Sequence, residues 1–160
     1  MTIVKPNKNG FTVIEILVVV AIMLTAFTAI LGLITISVKT STLIRETTQA
    51  NFLAQETAEA TRNFRSGSNW ATNGLGFLTI GIAYHPEKTA DIPSRWAMVQ
   101  GEETVGIFSR KIVFENVYRD VNFNIVGSGG TNDPNTKKAT VTISWNGKKV
   151  EIITYFTNWQ

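Results

Sequence analysis

The feature that most constrains this chain is a long run without charge from Ile16 to Val38, rich in Ile, Leu, Val and Ala. At a helical rise of about 1.5 Å per residue the run spans about 34 Å, which is enough to cross the hydrocarbon core of a bilayer. A secretory signal has an apolar region of roughly 7 to 15 residues, and this run is too long for one. The sequence therefore predicts a membrane-spanning helix near the N-terminus.

The basic residues around the run predict its orientation. Lys5 and Lys8 precede it, and basic residues that flank a span tend to stay in the cytoplasm. Lys39 and Arg45 follow the run and act against this bias. We predict a single-pass protein of the cytoplasmic (inner) membrane, with its N-terminus inside and its C-terminal part outside.

Helix-compatible sequence continues beyond the run. No Gly or Pro occurs from Ser37 to Ser66, and Gly67 stands where a helix C-cap would. We predict one helix over residues 11–66, with the membrane span at about 16–38 and an amphipathic outer half at about 39–66. The outer half has a narrow apolar face at helical spacing: Ala50, Leu53, Ala54, Thr57, Ala60 and Phe64.

After the helix the pattern changes to the two-residue alternation of strands. Ala139–Trp145 alternates apolar residues with Thr and Ser, and Asn146-Gly147 is the preferred dipeptide of a type I′ turn. A two-residue turn puts Ile143 opposite Val150 on the face that also carries Trp145, so turn chemistry and hydrophobic pattern agree on one register. The sequence predicts a C-terminal β-hairpin with Trp145 in the core.

The rest of the head is less regular. Ile107–Val117 has a strand pattern, Phe77–Tyr84 is compatible with a strand, Pro86–Pro93 resembles a loop, and Gly127–Thr136 is predicted to be an exposed loop. We predict an α+β fold in which the long N-terminal transmembrane helix packs on a small antiparallel sheet of about four strands within the head at residues 67–160.

Composition limits the chemistry that the head can perform. The chain has no cysteine, which excludes disulfides and thiolate metal sites, and its one histidine, His85, is predicted to lie at the surface. No P-loop, nucleophile-elbow or zinc-protease motif occurs. We predict no enzyme activity and no cofactor.

Two other sets of residues in the head carry the chemistry of a binding site. Glu115, Asp120 and Asp133 carry the oxygen ligands that calcium prefers, but turn and surface roles explain them better, so no metal site is predicted. Six basic residues carry the charge that a DNA-binding surface needs: Lys111, Arg119, Lys137, Lys138, Lys148 and Lys149. Positive charge beside an edge turn also discourages strand pairing, and we do not predict nucleic-acid binding.

Glu15 stands one residue before the uncharged run. An acidic side chain at the centre of a membrane helix costs about 2.5 to 3.5 kcal/mol, and less at its edge. The helix dipole offers one explanation for this position. The surroundings offer another, because a basic stretch ends at Gly10, an aromatic residue follows at Phe11, and Glu15 is the fifth residue after the glycine.

This combination resembles the type IV prepilin signal. In that family a prepilin peptidase of the inner membrane cuts after the glycine and methylates the new N-terminal amine. The resemblance implies a leader of residues 1–10, cleavage between Gly10 and Phe11, and N-methylation of Phe11. Glu15 takes the place of the family's glutamate, whose charge the freed amine of a neighbouring subunit neutralises during assembly.

The resemblance implies a structural filament subunit whose partners are the prepilin peptidase, other pilin or pseudopilin subunits, the inner-membrane assembly platform and the membrane. The span lacks the proline that many major pilins carry, which favours a minor pilin or a secretion pseudopilin. Four further stretches resemble V-type minor prepilins: Ala54–Arg65, Ser68–Trp70, Asp133-Pro134 and Thr157–Trp159. The alternative is an unprocessed single-span membrane protein with a ligand-binding β-rich head.

Overall fold

The computed structural model describes residues 10–158, so the predictions on the leader before Gly10 and on Trp159 lie outside the described residues. The chain divides into two compact units, Met1–Arg45 and Glu46–Gln160. One helix, α1, runs from Val13 to Ser66, close to the predicted 11–66.

The described part of the first unit is mostly helix. Most of its residues are apolar, and no proline interrupts the helix. Threonine hydroxyls within it donate hydrogen bonds to carbonyl oxygens of the preceding turn, as Thr25 Oγ1 does to the Ile22 oxygen at 2.8 Å. Every side chain from Gly10 to Arg45 is exposed in the isolated chain. These apolar side chains therefore lack the protein contacts that would shield them from water.

The second unit combines the last turns of α1 with a sheet. The sheet has seven strands where about four were predicted: β1 Ala83–Lys88, β2 Trp96–Gln100, β3 Glu103–Val105, β4 Phe108–Arg119, β5 Ile125–Val126, β6 Thr131–Trp145 and β7 Lys148–Thr157. The order is β2-β1-β4-β6-β7, with β3 and β5 paired to the two ends of β4, and every pairing is antiparallel. The predicted α+β arrangement of a long N-terminal helix and an antiparallel sheet is confirmed.

The C-terminal hairpin has the predicted register. Ile143 pairs with Val150, and the turn residues Asn146 and Gly147 have φ values of 45° and 72°. Both values lie in the left-handed region that a type I′ turn requires, which explains the Asn-Gly dipeptide. Trp145 is buried, as its alternation with polar neighbours predicts.

The core lies between the predicted stripe of α1 and the inner face of the sheet. Ala50, Ala54 and Thr57 are fully buried on the helix, and they face large inner residues such as Phe114 and Ile143. The large side chains of the sheet fill the space beside these small helix residues. The buried Thr57 hydroxyl donates to the Leu53 carbonyl oxygen at 2.7 Å, so its burial leaves no polar atom unpaired.

The strand predicted at Phe77–Tyr84 and the loop predicted at Pro86–Pro93 are each only partly right. Phe77–Ile82 forms turns, and β1 instead continues through Pro86, which was predicted to lie in a loop. Pro86 is tolerated because β1 pairs with β4 only at Ala83 and Tyr84, so the proline lies beyond that ladder. His85 is half-buried in the same strand, with its Nδ1 3.2 Å from the Gly101 carbonyl oxygen.

The predicted loop at Gly127–Thr136 is largely strand. β6 begins at Thr131 and contains a bulge, because Lys137 pairs with Asn116 while Asp133 pairs with the next residue, Val117. The three residues between them have no partner on β4. A bulge accepts a residue without an N–H, which accounts for the proline at position 134 inside a strand.

Candidate assembly site

The start of α1 is held by a capping box. The Oε2 atom of Glu15 accepts hydrogen bonds from the backbone N of Thr12 at 3.3 Å and from its hydroxyl at 3.4 Å, while the Glu15 N donates to Thr12 Oγ1 at 3.4 Å. The pattern of a threonine followed three residues later by a glutamate is the sequence signal for this motif, and our sequence reasoning missed it. Glu15 therefore already has a local role within a single chain.

The predicted cleavage junction is exposed. Phe11 is 81% exposed, and Gly10 is exposed beside it. A Cβ built on Gly10 would have no atom within 4 Å, apart from its chain neighbours, in the described structure. Packing within the described chain thus does not require glycine at this position.

The helix that follows is long and apolar enough to cross a membrane. Large apolar side chains along it stand open in the isolated chain, with Phe27 64% and Leu33 68% exposed. Since each Å² of apolar surface kept from water is worth about 25 cal/mol, this segment is stable only among lipid tails or against other proteins. Its first turn carries the one acidic residue of the apolar segment, Glu15.

Two groups of polar contacts tie the outer part of α1 to the sheet within the second unit. Arg110 is 5% exposed on the inner face of β4, and its guanidinium binds Glu103 and reaches Glu56 Oε1 at 3.4 Å. Near the turn of the hairpin, Trp145 Nε1 donates to Glu46 Oε2 at 3.0 Å. These contacts hold the sheet against the helix.

The stretches that resemble V-type minor prepilins meet at one end of the head. The Arg65 guanidinium donates to the Thr157 carbonyl oxygen at 2.7 Å, and Trp70 Nε1 donates to the carbonyl oxygen of Pro134 in the bulge at 3.2 Å. Asn158 N binds the carbonyl oxygen of the bulge residue Asn135 at 2.7 Å. Their contacts are structural, since they join the helix end, the bulge and the last strand.

The three acids considered for calcium are not brought together. Glu115 pairs with Lys138 at 2.8 Å, and Arg119 Nε donates to Asp133 Oδ2 at 2.7 Å, a bond that is the main cause of the lowered pKa of Asp133. Asp120 closes its own turn, and the backbone N–H of Asn124 is the main cause of the lowered pKa of its carboxyl group. Residues 10–158 contain no group of three or more His, Cys, Asp or Glu that could hold a metal ion.

The six basic residues considered for DNA binding are paired within the head. Lys137 is 8% exposed, and its ammonium donates to Asn116 Oδ1 at 2.7 Å, while burial lowers its pKa. The other five residues of the basic set each form an ion pair with a carboxylate within the second unit. Each of these six basic residues therefore already has a partner within the second unit.

Comparison with known proteins identifies the N-terminal segment. The family described as "Prokaryotic N-terminal methylation motif" matches residues 5–36, which include the Gly10-Phe11 junction and Glu15. No curated protein and no solved structure matches the chain. The matched motif lies at the start of an exposed, membrane-length helix that is followed by an antiparallel sheet, and it indicates the type IV pilin and pseudopilin family.

Proposed function

We propose that this chain is a minor pilin or pseudopilin, a structural subunit that is cut after Gly10, methylated on Phe11 and assembled into a filament through its N-terminal helix. The observation that carries the proposal is Glu15, in the first turn of an exposed apolar helix and five residues after an exposed glycine. Membership in the pilin family implies a structural rather than a catalytic protein.

The proposed processing is supported by the junction itself. Gly10 and Phe11 precede the first residue of α1, so cleavage between them does not require the helix to unwind. The proposed topology, with the N-terminus inside, presents this peptide to a prepilin peptidase at the cytoplasmic side of the membrane. In this proposal the leader over residues 1–10 is removed, the helix mediates assembly, and the β-rich head over residues 67–160 lies outside the membrane.

The proposed assembly step exchanges one partner of Glu15 for another. In the single chain its carboxylate caps the helix through two long hydrogen bonds to Thr12, an arrangement worth about 0.5 to 2 kcal/mol. A bond between a carboxylate and an ammonium group is worth about 1.5 to 3 kcal/mol, and more where water is excluded. The methylated amine of a neighbouring Phe11 is thus a stronger partner that becomes available only after cleavage.

The proposed partners follow from this sequence of events. They are the prepilin peptidase, the other pilin or pseudopilin subunits and the assembly platform of the inner membrane. The subunit waits in the inner membrane, where lipid covers the apolar half of α1. It then moves into an extracytoplasmic or surface filament, where the same residues contact other helices instead of lipid.

The proposal is tested by the mass of the mature chain. The full chain is produced together with an active prepilin peptidase and analysed by intact-mass spectrometry. We expect the loss of the first ten residues and the gain of one methyl group on Phe11. Gly10→Ala should block the loss, and Gly32→Ala, at a second glycine with no atom within 4 Å of its added Cβ, should not. A chain that still begins at Met1, beside a control prepilin that is cut, refutes the proposal.

The alternative of an unprocessed membrane protein has one observation in its favour. A cleft of about 670 Å³ is lined on the head by residues that include Tyr118, Tyr155 and the paired Glu115 and Lys138. This volume is typical of ligand pockets. The mass measurement separates the two functions, because the alternative requires an uncut junction.

A further inference from the structure

The loop between β4 and β5, residues 120–124, lies at the end of the head where α1 ends. β4 and β6 remain paired as far as Arg119 with Thr131, whereas β7 ends opposite Thr136. Arg65, in the last turn of α1, donates to the last residue of β7. The loop therefore lies beyond the end of β7, and we call it the tip.

Hydrogen bonds within the tip hold it in one conformation. Asp120 Oδ1 accepts from the backbone N of Asn122 at 2.8 Å and from that of Asn124 at 2.9 Å. The Arg119 guanidinium donates to the Phe123 carbonyl oxygen at 2.8 Å. Arg119 is itself held by Asp133 on β6. The backbone of the tip is thus fixed before any partner arrives.

The tip presents two apolar side chains to water. Val121 is 94% exposed and Phe123 is 79% exposed. Phe123 also has a φ of 63°, a left-handed conformation that is unusual for a bulky residue and that asparagine adopts more easily. Such strain, imposed by the surrounding structure, is concentrated at functional sites. A rigid loop with an exposed aromatic residue has the form of a preorganised anchor for a partner.

The other end of β4, about 37 Å away at the usual rise of a strand, carries an apolar notch. The β3–β4 turn, which contains Ile107, lies beside the Asn146-Gly147 turn because β4 pairs with β6. Between the two turns is a cavity of about 560 Å³, whose lining includes Ile107, Trp145 and Lys148. Ile107 is exposed there. We call it the entry notch, because Lys148 pairs with Glu46, the first residue of the second unit.

We propose that the tip of one copy of this chain binds the entry notch of a second copy, with Phe123 against Ile107. This inference rests on the proposed function, since subunits that leave one membrane for one filament keep the same direction. A displacement along the head brings tip and notch together without inverting either copy, so the helices of the two copies stay parallel. The contact joins unlike surfaces and does not close on itself, as an open filament requires.

Charge favours the contact between unlike ends. The partners of the Asp120 carboxylate are N–H groups of Asn122 and Asn124, so its negative charge is not neutralised within the tip. Lys148 and Lys149 line the notch, and their side chains are 46% and 65% exposed. Each is paired with a carboxylate, but an ammonium group has three hydrogens to donate. Two tips or two notches would instead bring like charges together, which opposes association.

Cross-linking within filaments tests the contact, because the natural sequence has no cysteine. A Val121→Cys chain and a Thr104→Cys chain, with different tags, are produced together in a cell that carries the cognate assembly system. Thr104 is exposed and lines the notch. Sheared filaments are treated with a flexible bis-maleimide. We expect a mixed dimer, no dimer from either variant alone, and a ladder of multimers from the chain that carries both cysteines.

Tyr155→Cys is the matched control for Thr104→Cys. Tyr155 is also exposed, and it lies six residues beyond Lys149 on β7, about 20 Å from the notch. Val121→Cys produced with Tyr155→Cys should therefore give no mixed dimer.

Phe123→Asn provides a second readout that separates binding from folding. Asparagine accepts the left-handed φ of 63°, so urea unfolding of the full chain in detergent should show a head at least as stable as the wild type. The mixed dimer should fall by about tenfold or more, since the burial of a phenylalanine is lost. Asn122→Ser, at the exposed neighbour, should leave both readouts unchanged. A Phe123→Asn head that loses stability, or one that cross-links at the wild-type level, refutes the anchor role.

The outcomes also separate this contact from the proposed function. A chain that still begins at Met1 and is absent from filaments refutes both. A cut chain that enters filaments but gives no mixed dimer refutes the contact alone. Equal mixed dimers with Thr104→Cys and with Tyr155→Cys refute it as well, because random collision would then explain them.

Discussion

Replacement of Glu15 separates its two roles, because a glutamine keeps one of them. Glutamine at this position of a capping box still accepts from the Thr12 N and hydroxyl, so Glu15→Gln preserves the helix start and removes only the charge. Glu15→Ala removes both. The difference in assembly between wild type and Glu15→Gln therefore measures the gain from exchanging the cap for the proposed ion pair.

The expected magnitudes follow from these contacts. A charged hydrogen bond of about 1.5 to 3 kcal/mol per subunit contact corresponds to a factor of about 10 to 150 in the equilibrium for adding a subunit. Formation of the ion pair gives up the cap, which is worth about 0.5 to 2 kcal/mol. The net gain is therefore about 1 kcal/mol, so we expect Glu15→Gln to lower assembled protein about fivefold and Glu15→Ala to lower it by a similar factor.

The assay compares sheared filaments with the membrane pool in a cell that carries the cognate assembly system. Intact mass must show that both variants are still cut and methylated, so that an assembly defect is not a processing defect. Thr12→Val, which removes the hydroxyl of the cap and leaves Glu15 charged, is the matched control and should assemble nearly as wild type. Assembly of Glu15→Gln at the wild-type level refutes the ion-pair reasoning.

Three predictions concern the head, and each is checked by urea unfolding of the full chain in detergent. Ala54→Leu should destabilise the head by about 1 to 3 kcal/mol or more through overpacking, since Ala54 is fully buried, whereas Gln55→Leu at the exposed neighbour should change little. The hydrogen bond from Arg119 is the main cause of the lowered pKa of Asp133 in the folded chain. The ionised carboxylate therefore stabilises the fold at pH values above its unfolded-state pKa of about 3.9, and this stabilisation is lost as the pH falls through the lower folded-state pKa. Asp133→Asn should therefore make the free energy of unfolding depend less on pH below about pH 4. A variant whose pH dependence below about pH 4 equals that of the wild type would contradict this. Gly147→Ala should cost about 1 to 2 kcal/mol because its φ of 72° is left-handed, and a neutral result would exclude the turn geometry.

Local chemistry explains which parts of the fold were predictable. The C-terminal hairpin was predicted because Asn146-Gly147 and the alternation from Ala139 to Trp145 act over a few residues and agree with each other. The capping box of Thr12 and Glu15 is equally local, and its signal was present but not applied. The proline-containing strands were missed because the absence of an N–H matters only where a neighbouring strand needs it, and Pro86 lies beyond that neighbour.

The sequence by itself determined the membrane-length helix, the position of Glu15 and the hairpin register, since each depends on residue spacing within one segment. Only the tertiary structure shows which charged residues of the head are buried and which residues they pair with. Arg110 follows Phe108 on the inner face of β4 and is tolerated there because Glu56, distant in sequence, and Glu103 reach it. The entry notch likewise exists only in the tertiary structure, because the pairing of β4 with β6 brings the two hairpin turns beside each other.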